Sequence, residues 1–422
     1  MAPFDPPGPL VTSILNGRCV AFVGAGFAAG VMPGWGELLQ RLAAELRFEL
    51  PPTEHGNAFH YEAVGQKLRD RAGDRWEPLV QGVLAEYLAR ASPERRATLE
   101  RRRELLLQIP FKAILTTNFD PSLETAHTQL GPPAYAEVLR EERGRWWNAP
   151  RHDRAAARAR VIKLHGDANG DQATLPLVLG RADYRRRIYE DRNYANFVRS
   201  VFAQYTVLFL GVSFTDAYLN ELRSEVLHLV YERGAATPWG YAVVYRPSPL
   251  FEEFLRTDEG IQPLRTDDHA EFDRWLEAIA DRTSVEGRLR RLLAGHRIVW
   301  VDRNHAANNQ RGLTLLRQAA EVEPLDDPQQ LDPSRHADAS LILTSFGHAE
   351  GLAFSLLDRV RTWPTRPPVI VFASPHTTPA QRQDNRTACL RRGAWEYTSQ
   401  WSELYRAIEL AVGRVPGLVD AY

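Results

Sequence analysis

Apolar residues along the chain alternate between two regimes: continuous runs of four or five, and longer stretches at helical spacing. The first run, Cys19–Val23, has the length and β-branched content of a strand buried on both faces. It leads into a glycine-rich turn and then an amphipathic stretch, 35–46, with Leu38, Leu39, Leu42 and Leu46 near helical spacing. Residues 57–108 read as mostly helical and arginine-rich. Further strand-like runs follow at 113–116, 161–164, Thr206–Leu210 and 241–245, each separated from the next by helical text. Residues 123–160 interrupt this rhythm with a charged cluster around Arg151–Arg160 and read as an insertion, a solvated loop and helix with a polyanion contact as the alternative. After a helix at 269–281, polar text to 287 and then another helix, a new alternation begins at 297. Strands at 298–302, 339–343, 368–372 and 395–397 are interleaved with helices at 313–319, Leu352–Val360, Pro379–Arg391 and Trp401–Val412. Strand and helix alternating in this way predict two α/β domains, each with a parallel sheet covered on both faces. The first, a Rossmann-like sheet with helical insertions, is expected over 1–285. A smaller doubly wound, flavodoxin-like domain is expected over 296–415.

Composition adds exclusions. Of 422 residues, 53 are acidic and 52 basic, for a net charge of -1, so global charge gives no pull toward nucleic acid or membrane. No apolar run is long enough to span a bilayer, and the first ten residues lack a signal-peptide layout, so a cytoplasmic protein is expected. The 2 cysteines, Cys19 and Cys389, supply neither a disulfide framework nor a four-cysteine zinc site.

In the first domain the polar residues with chemical potential follow the predicted strands, where open parallel sheets place their ligand crevice. Gly24-Ala25-Gly26 lets the backbone turn tightly and approach a phosphate, though no Gly-Lys-Ser/Thr follows as in a P-loop. Asn118 and Asp120 follow the second run; an asparagine there holds a ribose hydroxyl or a water, or simply makes an Asx turn or helix cap. His165 follows the third run. Alone, such a histidine is more often a structural hydrogen-bonder, yet its imidazole can shuttle a proton near neutral pH. Ser213 and Asp216 follow the fourth run as nucleotide contacts or as caps of the next helix. The acidic residue expected of a dehydrogenase about twenty residues past a glycine fingerprint is not in place. No histidine pair or third ligand points to a metal.

Taken in order, GAGF with Pro33-x-Trp35-x-x-Leu38, TTNFD, KLHGD and GVSFTD resemble the sirtuin-like NAD-binding family, in particular its bacterial branch associated with anti-phage defence. The resemblance covers about residues 10–283. It implies that Gly24, Ala25, Gly26 and Phe27 cradle the NAD diphosphate and that Asn118, Thr117 and Asp120 face the nicotinamide ribose. His165 would be the catalytic histidine, with Asn118 as its catalytic partner, and Gly211, Ser213 and Asp216 would lie toward the adenosine side. Ala28 stands where a serine is frequent, and Thr116-Thr117-Asn118 replaces the threonine-glutamine-asparagine of the deacylases. The four-cysteine zinc ribbon that supports the acyl-lysine groove is missing, which sets deacylation aside in favour of NAD hydrolysis. The resemblance thus implies an NAD glycohydrolase with NAD as substrate and no zinc. It further implies a homo-oligomer or a protein partner such as a HerA-type ATPase or a short Argonaute. A regulator that binds NAD or ADP-ribose without cleaving it is the alternative.

The second domain resembles a response-regulator receiver domain in its strand pattern, RIVWVDRN, ADASLILTSF, PPVIVFAS and GAWEYTSQ. Asp302 remains of the acidic pair, Ser345 stands at the phosphoacceptor position, and the region contains no lysine. One carboxylate is too few to hold Mg²⁺, so phosphotransfer is expected to be lost and the fold to serve docking, oligomerisation or sensing.

Overall fold

The computed structural model describes residues 4–50, 58–123, 135–138, 158–168, 177–190, 192–214, 216–230, 237–303, 310–346, 352–373 and 378–413. The chain divides into two compact units that meet in sequence at Thr283 and Ser284.

The first unit is built outward from β1, Cys19–Val23, whose five side chains are all buried. Alternation decides where each goes. Cys19, Ala21 and Val23 enter one core with Leu10 and Ile14 of α1 (Gly8–Leu15). Val20 and Phe22 enter the other. β2 (Ile114–Thr116) and β5 (Thr206–Leu210) flank β1 in parallel, with Ala21 facing both Ile114 and Leu208. The full sheet runs β3-β4-β2-β1-β5-β6-β7, all parallel, with β3 at Tyr135–Val138, β4 at Arg158–Lys163, β6 at Gly240–Tyr245 and β7 at Ile261–Thr266. Without the edge strand β3, the chain-order numbers read 3-2-1-4-5-6, the dinucleotide-binding arrangement whose switch point lies between β1 and β5.

Helices cover both faces. Besides α1, the first face carries α5 (Pro93–Gln108) and α10 (His269–Thr283), which insert Leu99, Leu105 and Leu106 and Phe272, Leu276 and Ile279. The second carries α7 (Arg192–Gln204), α8 (Ala217–Val230) and α9 (Pro249–Thr257). Between β1 and β2, α2 (Trp35–Glu45), α3 (Ala58–Ala72) and α4 (Trp76–Arg90) share a core of their own around Leu42, Leu68 and Trp76. α6 (Arg181–Arg185) and a π-helical turn, Arg186–Glu190, precede α7.

Most of the expected insertion, 124–134 and 139–157, lies outside the described residues. What is described of it differs from a solvated loop: 135–138 is strand β3, and Arg158 to Arg160 belong to β4.

The second unit opens with α11 (Val285–Leu292), capped by Ser284, whose hydroxyl accepts from the Gly287 amide. Its parallel sheet joins β8 (Arg297–Val301), β9 (Glu321–Leu325), β10 (Leu341–Ser345), β11 (Val369–Phe372) and β12 (Glu396–Thr398) in the order β12-β11-β10-β8-β9. In chain order that is 2-1-3-4-5, the flavodoxin-type winding. α11, α12 (Gln310–Ala319) and α15 (Trp401–Val412) cover one face around Trp300. α13 (Leu352–Val360) and α14 (Pro379–Arg391) cover the other around Val299 and Val301. No helix among the described residues is long and apolar enough to cross a membrane.

Candidate functional site

The switch point is drawn tight by three glycines. The Gly24 amide donates to the Leu210 carbonyl at 2.9 Å, and the Gly26 amide to the Gly211 carbonyl at 2.9 Å. A Cβ on Gly24 would lie 2.5 Å from the Gly211 oxygen and one on Gly26 2.9 Å from it, so neither tolerates a side chain. Gly211 has φ +66°, the left-handed region, and its own Cβ would strike the Phe27 amide. The exits of β1 and β5 therefore pack backbone against backbone at these three positions.

Next to this junction, the β2 exit is fastened to β1 by polar contacts. The Thr116 hydroxyl donates to the Val23 carbonyl at 2.7 Å and accepts from the Asn118 amide at 3.0 Å. The Asn118 side-chain nitrogen donates to the Gly24 carbonyl at 3.2 Å, which fixes the carboxamide beside the glycine turn.

The β4 exit is fastened to the β2 loop by Lys163 and Asp167, both fully buried. Their side chains pair at 3.0 Å, and the ammonium also donates to the Asp120 carbonyl at 2.9 Å. The Val178 amide donates to the His165 carbonyl at 2.9 Å, holding the loop that carries the imidazole. His165 is itself buried, and Nε2 lies 3.5 Å from Oδ2 of Asp216. Tyr184 of α6 meets the imidazole edge-to-face, centroids 5.2 Å apart, and its hydroxyl donates to the same Oδ2 at 3.3 Å. Burial, the largest influence, holds the His165 imidazole below its ordinary pKa; the Asp216 charge opposes that shift and Arg187 reinforces it. The Tyr184 phenol is pushed well up, by burial first and then by Asp216 and Glu62.

Asp216 also caps α8, its Oδ1 accepting from the Leu219 amide at 3.0 Å. Beyond it lies Arg223, buried, paired with Glu259 at 2.8 Å and set over the Phe214 ring. Burial lowers the pKa of this guanidinium.

These exits open onto one cavity of about 580 Å³, within the size range of small-molecule sites. Gly24, Ala25, Gly26, Thr117, Asn118 and His165 line it, as do Gly211, Ser213 and Asp216. Two expected site residues do not line it. Phe27 is buried in the core, edge-to-face with Phe272, because the 3-10 turn Ala25–Ala28 rotates it under the sheet. Asp120 accepts from the Ser122 amide at 2.8 Å, the Asx turn that the sequence offered as its alternative role. The cavity also takes Trp35, Tyr61, Tyr184, Arg223 and the stacked pair Tyr245 and His269, which sequence reasoning did not place there as site residues. Trp35, tilted against Tyr61 and Tyr184, had a signal in the Pro33-x-Trp35 pattern. Tyr184 and Arg223 sit within helices, where a polar residue carries no positional cue.

In the second unit, Asp302 is buried at the β8 exit and Ser345 ends the neighbouring β10. Arg303 pairs with Asp327 at 3.1 Å. Among the described residues of the whole chain, no group of three or more His, Cys, Asp or Glu side chains could hold a metal ion.

Residues 112–264 match the family described as SIR2-like domain. Over 224 residues the chain is 25% identical to Defense-associated sirtuin 2 of Bacillus subtilis, a stretch covering 52% of this chain and 20% of that protein. The chain thus matches about a fifth of that relative's length. A response regulator receiver domain protein from Clostridium thermocellum aligns over 28% of this chain and 95% of its own, at 16% identity and a TM-score of 0.25. The winding of the second sheet is given by its own strand order.

Proposed function

We propose, from a first unit that is SIR2-like and related to a defence-associated sirtuin, that this chain is an NAD glycohydrolase acting in anti-phage defence. The observation that carries the reading is the convergence of Asn118 and His165, from two strand exits, on a cleft lined by Gly24, Gly26 and Gly211. The diphosphate is placed along the Gly24–Gly26 turn, at the switch point where the β1 and β5 exits close on each other. Asn118 and His165 then meet the nicotinamide ribose.

The reaction is NAD plus water to nicotinamide plus ADP-ribose plus a proton. The bond from the anomeric carbon to nicotinamide breaks and its electron pair leaves on the pyridine nitrogen, building oxocarbenium character at the carbon. Water oxygen bonds to that carbon and gives up a proton to His165, directly or through a ribose hydroxyl, and thence to solvent. Burial keeps the imidazole neutral near pH 7, the form a base requires. Asn118, clamped by Gly24, orients the water or the ribose. An enzyme of this kind drains NAD from its own cell, so the activity is held off until a trigger or assembly releases it.

The test is nicotinamide release from NAD by the purified chain beside His165→Ala and Asn118→Ala, over a range of protein concentrations. Each substitution is expected to cut turnover by about 10²–10⁴-fold, and a steep concentration dependence would identify assembly as the switch. Bound, intact NAD with no release at any concentration, even in lysate from phage-infected cells, would overturn hydrolysis in favour of a binding regulator.

A further inference from the structure

We infer that Asp216 is a positioning residue for His165 rather than a contact of the adenosine half. It holds the imidazole with Nε2–H toward Oδ2 and leaves Nδ1 as the proton acceptor, while the Tyr184 hydroxyl shares that oxygen. The inference deepens the hydrolase reading and rests on it for its kinetic part.

Three observations carry it. Oδ2 of Asp216 lies 3.5 Å from His165 Nε2 and 3.3 Å from the Tyr184 hydroxyl, so one carboxylate oxygen faces two groups of the same cleft. Catalytic hydrogen bonds are commonly long before substrate binds and tighten afterward. The other oxygen is occupied by the Leu219 amide at the start of α8, so the carboxylate has a fixed orientation and little freedom to turn toward a ligand. Tyr184 meets His165 edge-to-face and lies against Trp35, with its hydroxyl at Asp216. A base oriented by a carboxylate at its second nitrogen is the general logic of activated histidines.

The charged groups around the imidazole act in opposite directions. Asp216, from the segment before α8, raises its affinity for a proton; Arg187, from the π-helical turn after α6, lowers it. Tyr184 of α6 is uncharged, and Glu62 of α3 bears on that phenol. On His165's own loop, Lys163 and Asp167 pair with each other.

The experiment uses the full-length chain with nitrogen-labelled histidine. Long-range proton–nitrogen correlation reads the tautomer and pKa of His165, assigned by its loss in His165→Gln, and NAD turnover is measured in parallel. Asp216→Asn keeps an oxygen to cap α8 but turns an N–H donor on Nε2. The tautomer is expected to invert and the imidazole pKa to fall, with kcat reduced about 100-fold and KM within about 2-fold. Tyr184→Phe keeps the carboxylate and frees Oδ2 for the imidazole, so the pKa is expected to rise and kcat to fall by less. An unmoved imidazole in both variants overturns the inference. So does a rise in KM at constant kcat in Asp216→Asn, which would make Asp216 a ribose contact. If the native chain releases no nicotinamide, the hydrolase reading fails, while the imidazole spectra still decide whether Asp216 and Tyr184 orient His165.

Discussion

His165 shows how much of a residue's chemistry is set by what surrounds it. Its position after a strand was legible from the sequence, because a parallel strand delivers its last residues to the crevice. Its environment was not. The carboxylate of Asp216 and the phenol of Tyr184 come from elements separated in sequence, and only the packed sheet brings them to the imidazole. Asp120 carried an equally good sequence signal and closes a local turn instead, since a side chain two residues from an open amide satisfies it first. The depressed His165 pKa gives a prediction with a definite sign. A base must be neutral, so kcat for nicotinamide release is expected to hold constant as pH falls from 8 to about 6.5, the ordinary imidazole value, and to drop only below it. Stability follows the same window: between the two pKa values the unfolded chain binds more protons than the folded one, so the fold weakens as pH falls through that interval. A kcat profile with its acid limb above pH 7 would show instead that the imidazole is stabilised in its charged form.

At the scale of elements, the strands that the sequence concealed share a physical cause. β3, β7 and β9 are all edge strands. An edge strand is covered less completely than a central one, tolerates proline and carries charge, so it lacks the continuous apolar run that marked β1 or β5. β7 contains Pro263 and β9 contains Pro324 with two glutamates, and neither resembles a buried strand in isolation. The glycine turn was visible as a turn, but the need for all three glycines was not, because it arises where the exits of β1 and β5 touch. That need can be measured. Gly211 and Gly17 have the same φ of +66°, yet a Cβ on Gly17 meets nothing within 4 Å while one on Gly211 runs into the β1 turn. Gly17→Ala is expected to cost about 1–2 kcal/mol, the penalty of the left-handed conformation alone. Gly211→Ala adds the backbone collision and is expected to cost roughly twice that or more. Urea unfolding of both variants separates the contributions, and equal losses would mean that the junction relaxes without strain.

At the scale of the whole molecule, alternation of strand and helix was enough to read two doubly wound domains, but the point of division was less legible than either fold. The second pattern was expected to begin at 296, just before its first strand, with the end of the polar text at 282–287 and the helix after it left outside both domains. That text instead ends α10 at Thr283 and starts a new helix with a Ser284 cap at the very next residue. α11 and its C-cap residue contribute Leu289 and Leu293, both fully buried, to the core around Trp300, Leu316 and Leu404, and Arg288 pairs with Glu409 at 3.2 Å. A fragment spanning 284–422 therefore possesses both faces of its sheet and is within the size at which domains fold alone. It is expected to melt in one cooperative transition. A fragment starting at 296 strips two leucines from that core, and each buried leucine lost costs about 2–5 kcal/mol, most of the stability that a domain of this size commands. It is expected to be unfolded or molten at room temperature. Calorimetry on the two fragments decides the matter, since equal melting temperatures would make α11 an appendage and return the boundary to 296.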